Sequence, residues 1–187
     1  MNSRKIALIA VLAALSIGTN YALLPFFNVK FMDFIVFVGG FCFGPVAGGL
    51  IGVISWAIYG SLNPLGFSFP VWLSTMFAEA IFGVAGGLAA RFLVLPKNSR
   101  VGKDRIGVFV FFGALSVFLT FIYDFITNAA YAYAYGMNLI VAIVVGFVPF
   151  GIIHLLSNAV FFSLGCVPTI NTILKVTGGE KTVSVEE

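Results

Sequence analysis

Six stretches of this chain are apolar enough, and uninterrupted enough, to read as helices in lipid. Residues 6–24 run unbroken until Pro25 stops them. Residues 32–43 end at Gly44-Pro45, because proline disfavours helical geometry in the residue before it. Residues 46–62, 71–93, 106–130 and 138–164 follow, with Pro149 the expected kink in the last. A membrane helix needs about 20 apolar residues. The second stretch spans about 18 Å at about 1.5 Å per residue, short of the ~30 Å hydrocarbon core. It is expected to tilt, or to pair with 46–62 as a re-entrant hairpin. Arg4 and Lys5 before the first stretch mimic a signal peptide. Its apolar run is too long and lacks a small-residue cleavage site, so it reads as a span.

Charge sets the parity. Arg91, Lys97, Arg100, Lys103 and Arg105 surround the loop after the fourth stretch, and Arg4 and Lys5 mark the N-terminus. Basic residues favour the cytoplasmic side, and both groups reach it only if 32–62 enters and leaves as two segments. Nine of the ten Lys and Arg residues then lie inside and Lys30 alone outside. The expected fold is an all-α membrane protein, a compact bundle of six transmembrane helices with cytoplasmic N and C termini. Residues 1–174 form the membrane domain, and 175–187 a polar, disordered cytoplasmic tail.

Composition agrees: 60% of residues are hydrophobic and 9% charged, with a mean hydropathy of +1.10. A soluble domain carries about 25% charged residues, so much of this surface must face lipid. Cys42 and Cys166 form no CxxC pair and read as small apolar residues near the reducing side. Gly178-Gly179-Glu180-Lys181-Thr182 lacks the order and spacing of a phosphate-binding loop. No metal-ligand cluster, HExxH motif or Ser/His/Asp order stands out, and no nucleic-acid partner is expected.

Two patterns carry candidate function. Small residues recur every fourth position at Ala10, Ala14, Gly18 and Ala22, at Gly40, Gly44, Gly48 and Gly52, and at Gly83 and Gly87. Such strips let helices approach closely, either inside the bundle or at a partner protein. The second pattern is polar residues at membrane depth, which are costly and usually face a cavity or a partner. Glu79 lies about 12 Å into the fourth segment. Asp124 sits beside Tyr123, with Asn128 and Tyr131 on its face, and His154 and Asn158 are four apart on the sixth segment. Asn20 and Tyr21 end the first segment, and Tyr59, Asn63 and Trp72 flank the outer loop. The outer aromatics fit an interfacial belt equally well. Glu79, Asp124, Asn128, His154, Asn158, Tyr123, Trp72 and Asn20 are the candidate binding residues. Carboxylates, amides and aromatics around one cavity suit a flat polar heterocycle. Three acids, Asp33, Glu79 and Asp124, against Lys30 alone on the outer side favour a cationic or neutral ligand over an anion.

Several of these features together resemble a known family. The run Ala10-Val11-Leu12-Ala13-Ala14 is similar to an Ala-x-x-x-Ala docking motif. Phe41-Cys42-Phe43-Gly44-Pro45-Val46-Ala47-Gly48-Gly49-Leu50-Ile51-Gly52 resembles a Gly-Pro-x-x-Gly hairpin. Glu79 precedes Gly83 on a glycine-rich fourth helix. In these motifs, in size and in six-segment layout, residues 5–168 resemble the substrate-binding S-components of energy-coupling factor (ECF) importers, the vitamin uptake systems of bacteria and archaea. The resemblance implies a multi-pass protein of a prokaryotic plasma membrane. It implies a vitamin-like substrate bound at the outer face and docking through Ala10 and Ala14 onto a transmembrane coupling subunit. Two cytoplasmic ATPases would drive toppling and release, so ATP is used by partners and no cofactor sits in this chain. The competing readings are a membrane-embedded acyl or prenyl transferase and a self-sufficient carrier. The first needs a catalytic cluster near the cytoplasmic face; the second favours an internal repeat, and neither is evident.

Overall fold

The computed structural model describes residues 3–64, 66–93 and 103–177, with side chains from residue 106 onward in the last stretch. Lys97, Arg100 and residues 178–187, on which the inner-loop and tail readings partly rest, lie outside the described residues. The elements are helices α1 (Ser3–Ala22), α2 (Met32–Phe43), α3 (Pro45–Ser61), α4 (Phe69–Phe92), α5 (Lys103–Tyr135) and α6 (Leu139–Val145). A π-helical segment (Gly146–Gly151) and α7 (Ile152–Val176) complete the chain. Among the described residues, four stretches are long and apolar enough to cross a membrane: Ser3–Ala22, Phe69–Phe92, Ile106–Tyr135 and Leu139–Val176.

The α2–α3 break forms as the Gly-Pro dipeptide demands. Gly44 adopts φ +94°, a conformation few residues other than glycine tolerate, and Pro45 opens α3, where its missing N–H costs nothing. Every residue of the short α2 is buried. It packs against α1, α3, α4 and α7, and α4 in turn packs against α2, α3 and α5. A helix shielded from lipid on all sides has no need to match the bilayer thickness.

Glycine ridges explain how α4 comes so close to α2 and α3. A Cβ added at Gly40 would stand 3.1 Å from the Gly83 Cα, and one added at Gly83 would stand 2.7 Å from the Gly48 Cα. One added at Gly52 would lie 2.9 Å from the Ala80 Cα. These backbones touch directly, so the α2, α3 and α4 strips are internal packing surfaces. The α1 strip differs: Ala10, Ala14, Gly18 and Ala22 are all exposed, and nothing lies within 4 Å of a Cβ added at Gly18.

The last segment departs from the sequence expectation of one kinked helix over 138–164. Asn138 caps α6, its Oδ1 accepting from the Ile140 and Val141 amides at 3.0 and 3.3 Å. The helix then breaks at Val148 (φ −117°, ψ 110°), next to Pro149, which cannot donate to the ladder. Beyond it α7 continues to Val176, past both the expected span end at 164 and the boundary at 174. The fifth helix is also longer than 106–130, running from Lys103 to Tyr135. At the opposite end from the 23–31 loop, an Arg4 guanidinium nitrogen donates to the Thr177 carbonyl at 3.3 Å, which puts the start of α1 beside the end of α7.

Candidate ligand-binding site

The polar residues of the apolar helices converge. On α5, Thr120 and Asp124 are one turn apart; on α7, so are His154 and Asn158. The two pairs face each other, and Asp33, in the first turn of α2, sits between them. His154 Nδ1 lies 2.9 Å from Asp124 Oδ1, and its Nε2 lies 2.6 Å from Asp33 Oδ2. Asn158 Nδ2 donates to Asp33 Oδ2 at 2.6 Å and to Thr120 Oγ1 at 2.8 Å. Asp33, Thr120, His154 and Asn158 are fully buried and Asp124 nearly so. An acidic side chain in the first turn of a helix also meets the positive end of the helix dipole.

Glu79 on α4 stands beside this ladder. Its Oε2 accepts from Trp56 Nε1 at 3.1 Å, and its carboxyl is near enough to Asp33 to interact with it. The Tyr123 ring is edge-on to His154 at 5.7 Å. Lys30, from the loop between α1 and α2, places Nζ 4.9 Å from the Tyr123 ring centre and 5.8 Å from the Trp56 ring. That loop is tied down by Asn28, whose Nδ2 donates to the Phe150 carbonyl at 2.7 Å, and by the Phe27–Phe150 ring contact at 4.5 Å. The lysine is therefore held over the cluster as a roof.

Hydrogen bonding within the cluster is incomplete. Among the described residues, Asp33 Oδ1, Glu79 Oε1, Asp124 Oδ2, Asn158 Oδ1 and the Tyr123 hydroxyl are buried with no donor or acceptor paired to them apart from the contact between the Asp33 and Glu79 carboxyls. Buried polar atoms are normally satisfied, so five such atoms among neighbouring side chains single this cluster out as the candidate site. The two carboxylates approach His154 on opposite ring nitrogens, and no group of three His, Cys, Asp or Glu side chains among the described residues could hold a metal.

Next to the cluster, between the loop-side ends of α3, α4 and α5, is a cleft of about 160 Å³. Its aromatic lining is Trp56, Trp72, Tyr131 and Tyr135. Thr75 lines the cleft and Glu79 lies one turn deeper on the same face of α4. Trp56 belongs to both places, since its ring lines the cleft while its N–H holds Glu79. Gly60 makes room for this: an added Cβ would meet the Trp72 ring at 2.6 Å and the Trp56 ring at 3.1 Å.

Of the residues singled out from the sequence, Glu79, Tyr123, Asp124, His154 and Asn158 come together. Trp72 belongs to the cleft, its Nε1 donating to the Ala57 carbonyl at 3.2 Å. Asn128 is only half-buried and packs against Gly146 of the π segment. Asn20 is buried at the end of α1 with Oδ1 unpaired, outside the hydrogen bonds of the cluster. The candidate residues omitted Asp33, Lys30, Thr120 and Trp56. Asp33 and Lys30 were visible as isolated charges, and Trp56 as a tryptophan in mid-helix, away from the interface that tryptophans prefer.

Apolar helices enclosing unpaired polar atoms beside an aromatic cleft define a multi-pass membrane protein built to bind a small molecule. The chain belongs to the ECF transporter substrate-specific components, the family whose model matches residues 4–164. These proteins are transport-binding subunits and not enzymes, which removes the transferase alternative. No curated protein and no solved structure matched the chain.

Proposed function

We propose that this S-component captures a vitamin or related organic micronutrient at the outer face of a prokaryotic plasma membrane. It hands the cargo inward together with a transmembrane coupling subunit and two cytoplasmic ATPases, which consume the ATP; this chain holds no cofactor. The observation that carries the reading is the set of buried, unpaired polar atoms beside an aromatic cleft. Both termini are cytoplasmic, a reading supported by the Arg4–Thr177 contact, which brings the two ends of the helical bundle to one side. The coupling subunit docks on the exposed strip of Ala10 and Ala14, a reading supported by the contrast with the glycine strips, which are consumed by internal packing.

The direct test is mass spectrometry of protein purified from its native host without added ligand. A single small organic molecule should be carried at near-stoichiometric amount by the wild type and lost from Glu79→Gln. Carriage of lipid alone, in wild type and variant alike, would refute the assignment of the site.

A further inference from the structure

The chemistry of the unpaired atoms goes further than the family does, provided the S-component reading above holds. Asn158 Oδ1 is an acceptor only, and so are Asp33 Oδ1, Glu79 Oε1 and Asp124 Oδ2 when their carboxyls are ionised. The fifth, the Tyr123 hydroxyl, can donate or accept. An acidic cluster alone would say little, but Asn158 and Tyr123 are themselves more than nine-tenths buried and unpartnered. A carbonyl, carboxylate or phosphate brought here adds acceptors to acceptors. A group rich in N–H donors satisfies them.

Charge points the same way. Both ring nitrogens of His154 face carboxylate oxygens, so both contacts are satisfied only with two protons among Asp33, His154 and Asp124. That trio then carries one negative charge. Glu79 and Asp33 are close enough to hydrogen-bond, which needs one shared proton. A cation whose N–H groups take that proton's place lets Glu79 carry a second negative charge, and Lys30 offsets only one of the two. Lys30 makes no ion pair with the described residues and rests on the faces of Tyr123 and Trp56. Aromatic faces hold cations well.

Shape supplies the rest. A flat ring fits between the cleft aromatics, and the line from Thr75 to Glu79 leads from the cleft to the carboxyls. At about 160 Å³ the cleft is smaller than the roughly 300–1,000 Å³ of an ordinary ligand site. A group that reaches Glu79 from the cleft takes the place of the Trp56 N–H, which frees Glu79 Oε2 as one more acceptor.

We infer that the cargo is an organic cation bearing several N–H donors on a flat ring, of the amidinium or ring-amine type. Its N–H edge binds between the Asp33 and Glu79 carboxyls, and its charge displaces that of Lys30. Trp56 moves as it enters.

The test uses the full chain in detergent and three single-ring probes. Benzamidinium has the charge and the N–H groups, phenyltrimethylammonium has the charge alone, and benzoate has the opposite charge. Binding is followed through the millimolar range by calorimetry and by tryptophan fluorescence, Trp56 and Trp72 being the only tryptophans. Benzamidinium should bind saturably and perturb the fluorescence, phenyltrimethylammonium should bind at least severalfold more weakly, and benzoate should not bind. Glu79→Gln should weaken benzamidinium binding roughly tenfold or more. Lys30→Gln, which removes a competing charge at the rim, should tighten it; this variant leaves the buried ladder intact and is informative even if Glu79→Gln folds poorly. Preferred binding of benzoate, equal binding of the two cations, weakening by Lys30→Gln, or no saturable benzamidinium binding would each overturn the inference. Co-expression with a coupling subunit and its ATPases separates this from the wider reading. If the complex assembles and transports while benzamidinium is ignored, only the cationic assignment falls. If no complex assembles and no probe binds, both fall.

Discussion

The contact of Gly83 with Gly48 and Gly40 permits a sharp test of what holds the bundle together. Gly83→Ala adds one methyl group. Its carbon would stand 2.7 Å from the Gly48 Cα, whereas carbon atoms are comfortable at about 3.5–4.0 Å. The obstacle is backbone, so no side chain can swing away, and α3 and α4 must separate by about 1 Å. Overpacking of this kind costs about 1–3 kcal/mol. Gly18→Ala adds the same methyl on α1, where nothing lies within 4 Å. Both substitutions raise helix propensity equally, by up to about 1 kcal/mol, so their difference isolates the steric cost. Unfolding of the detergent-solubilised variants should show Gly18→Ala equal to or above wild type and Gly83→Ala below it. At roughly 2–4 °C per kcal/mol for a chain of this size, the gap is several degrees. The α1 strip is the proposed docking face, so the comparison is made on the isolated protein. A Gly83→Ala midpoint matching that of Gly18→Ala would refute the direct backbone contact.

Three further outcomes follow from the same structure. Ala14→Trp on the exposed α1 strip should abolish co-purification with the coupling subunit while leaving ligand binding by the isolated chain unchanged; loss of both would return the strip to internal packing. In a background with Cys42 and Cys166 replaced, cysteine at Phe67 should react with an impermeant thiol reagent on intact cells and cysteine at Ser3 should not; both side chains are exposed on the protein, and labelling of Ser3→Cys would reverse the orientation. Asp33→Ala leaves His154 Nε2 without its partner and takes from Asn158 Nδ2 one of its two acceptors, Thr120 Oγ1 remaining; breaking a buried pair this way costs about 3–5 kcal/mol, so folded yield in detergent should fall sharply, and wild-type yield would contradict the ladder.

What the sequence revealed depended on how local each signal was. A carboxylate or imidazole in an apolar run stands out whatever surrounds it, which is why Glu79, Asp124 and His154 were identifiable and do meet. The Gly44-Pro45 break is equally local, a matter of two residues' allowed geometry. Asn128 shows where periodicity misleads. It shares a helix face with Asp124, yet one turn along α5 that face meets Gly146 of the π segment instead of the cluster. The break at Val148 that turns the chain there has no signal beyond Pro149. The small-residue strips were indistinguishable by spacing, because spacing records what a helix can approach and not what lies opposite. Only the neighbours separate the α1 strip, open along its length, from strips closed backbone to backbone.

The short helix α2 lies between the candidate binding site and the proposed docking strip. It was the least helix-like span in the sequence, too short to cross the bilayer, and it proves to be the most buried. One side of it packs against α1, which carries the exposed strip, and others against α4 and α7, which carry Glu79, His154 and Asn158. Asp33, at its loop-side end, accepts from Asn158 and pairs with His154 Nε2. Contact with α4 is made through glycine backbone at Gly40 and Gly83, with no compliant side chains between. Close-packed interfaces transmit displacement instead of absorbing it. On the α1 side the neighbour is a side chain, a Cβ added at Gly39 standing 3.2 Å from Leu12 Cδ1, so the proposed docking strip is one helix removed from the carboxylate that His154 and Asn158 share. The candidate binding site and the proposed docking strip lie on different helices, and α2 packs against both.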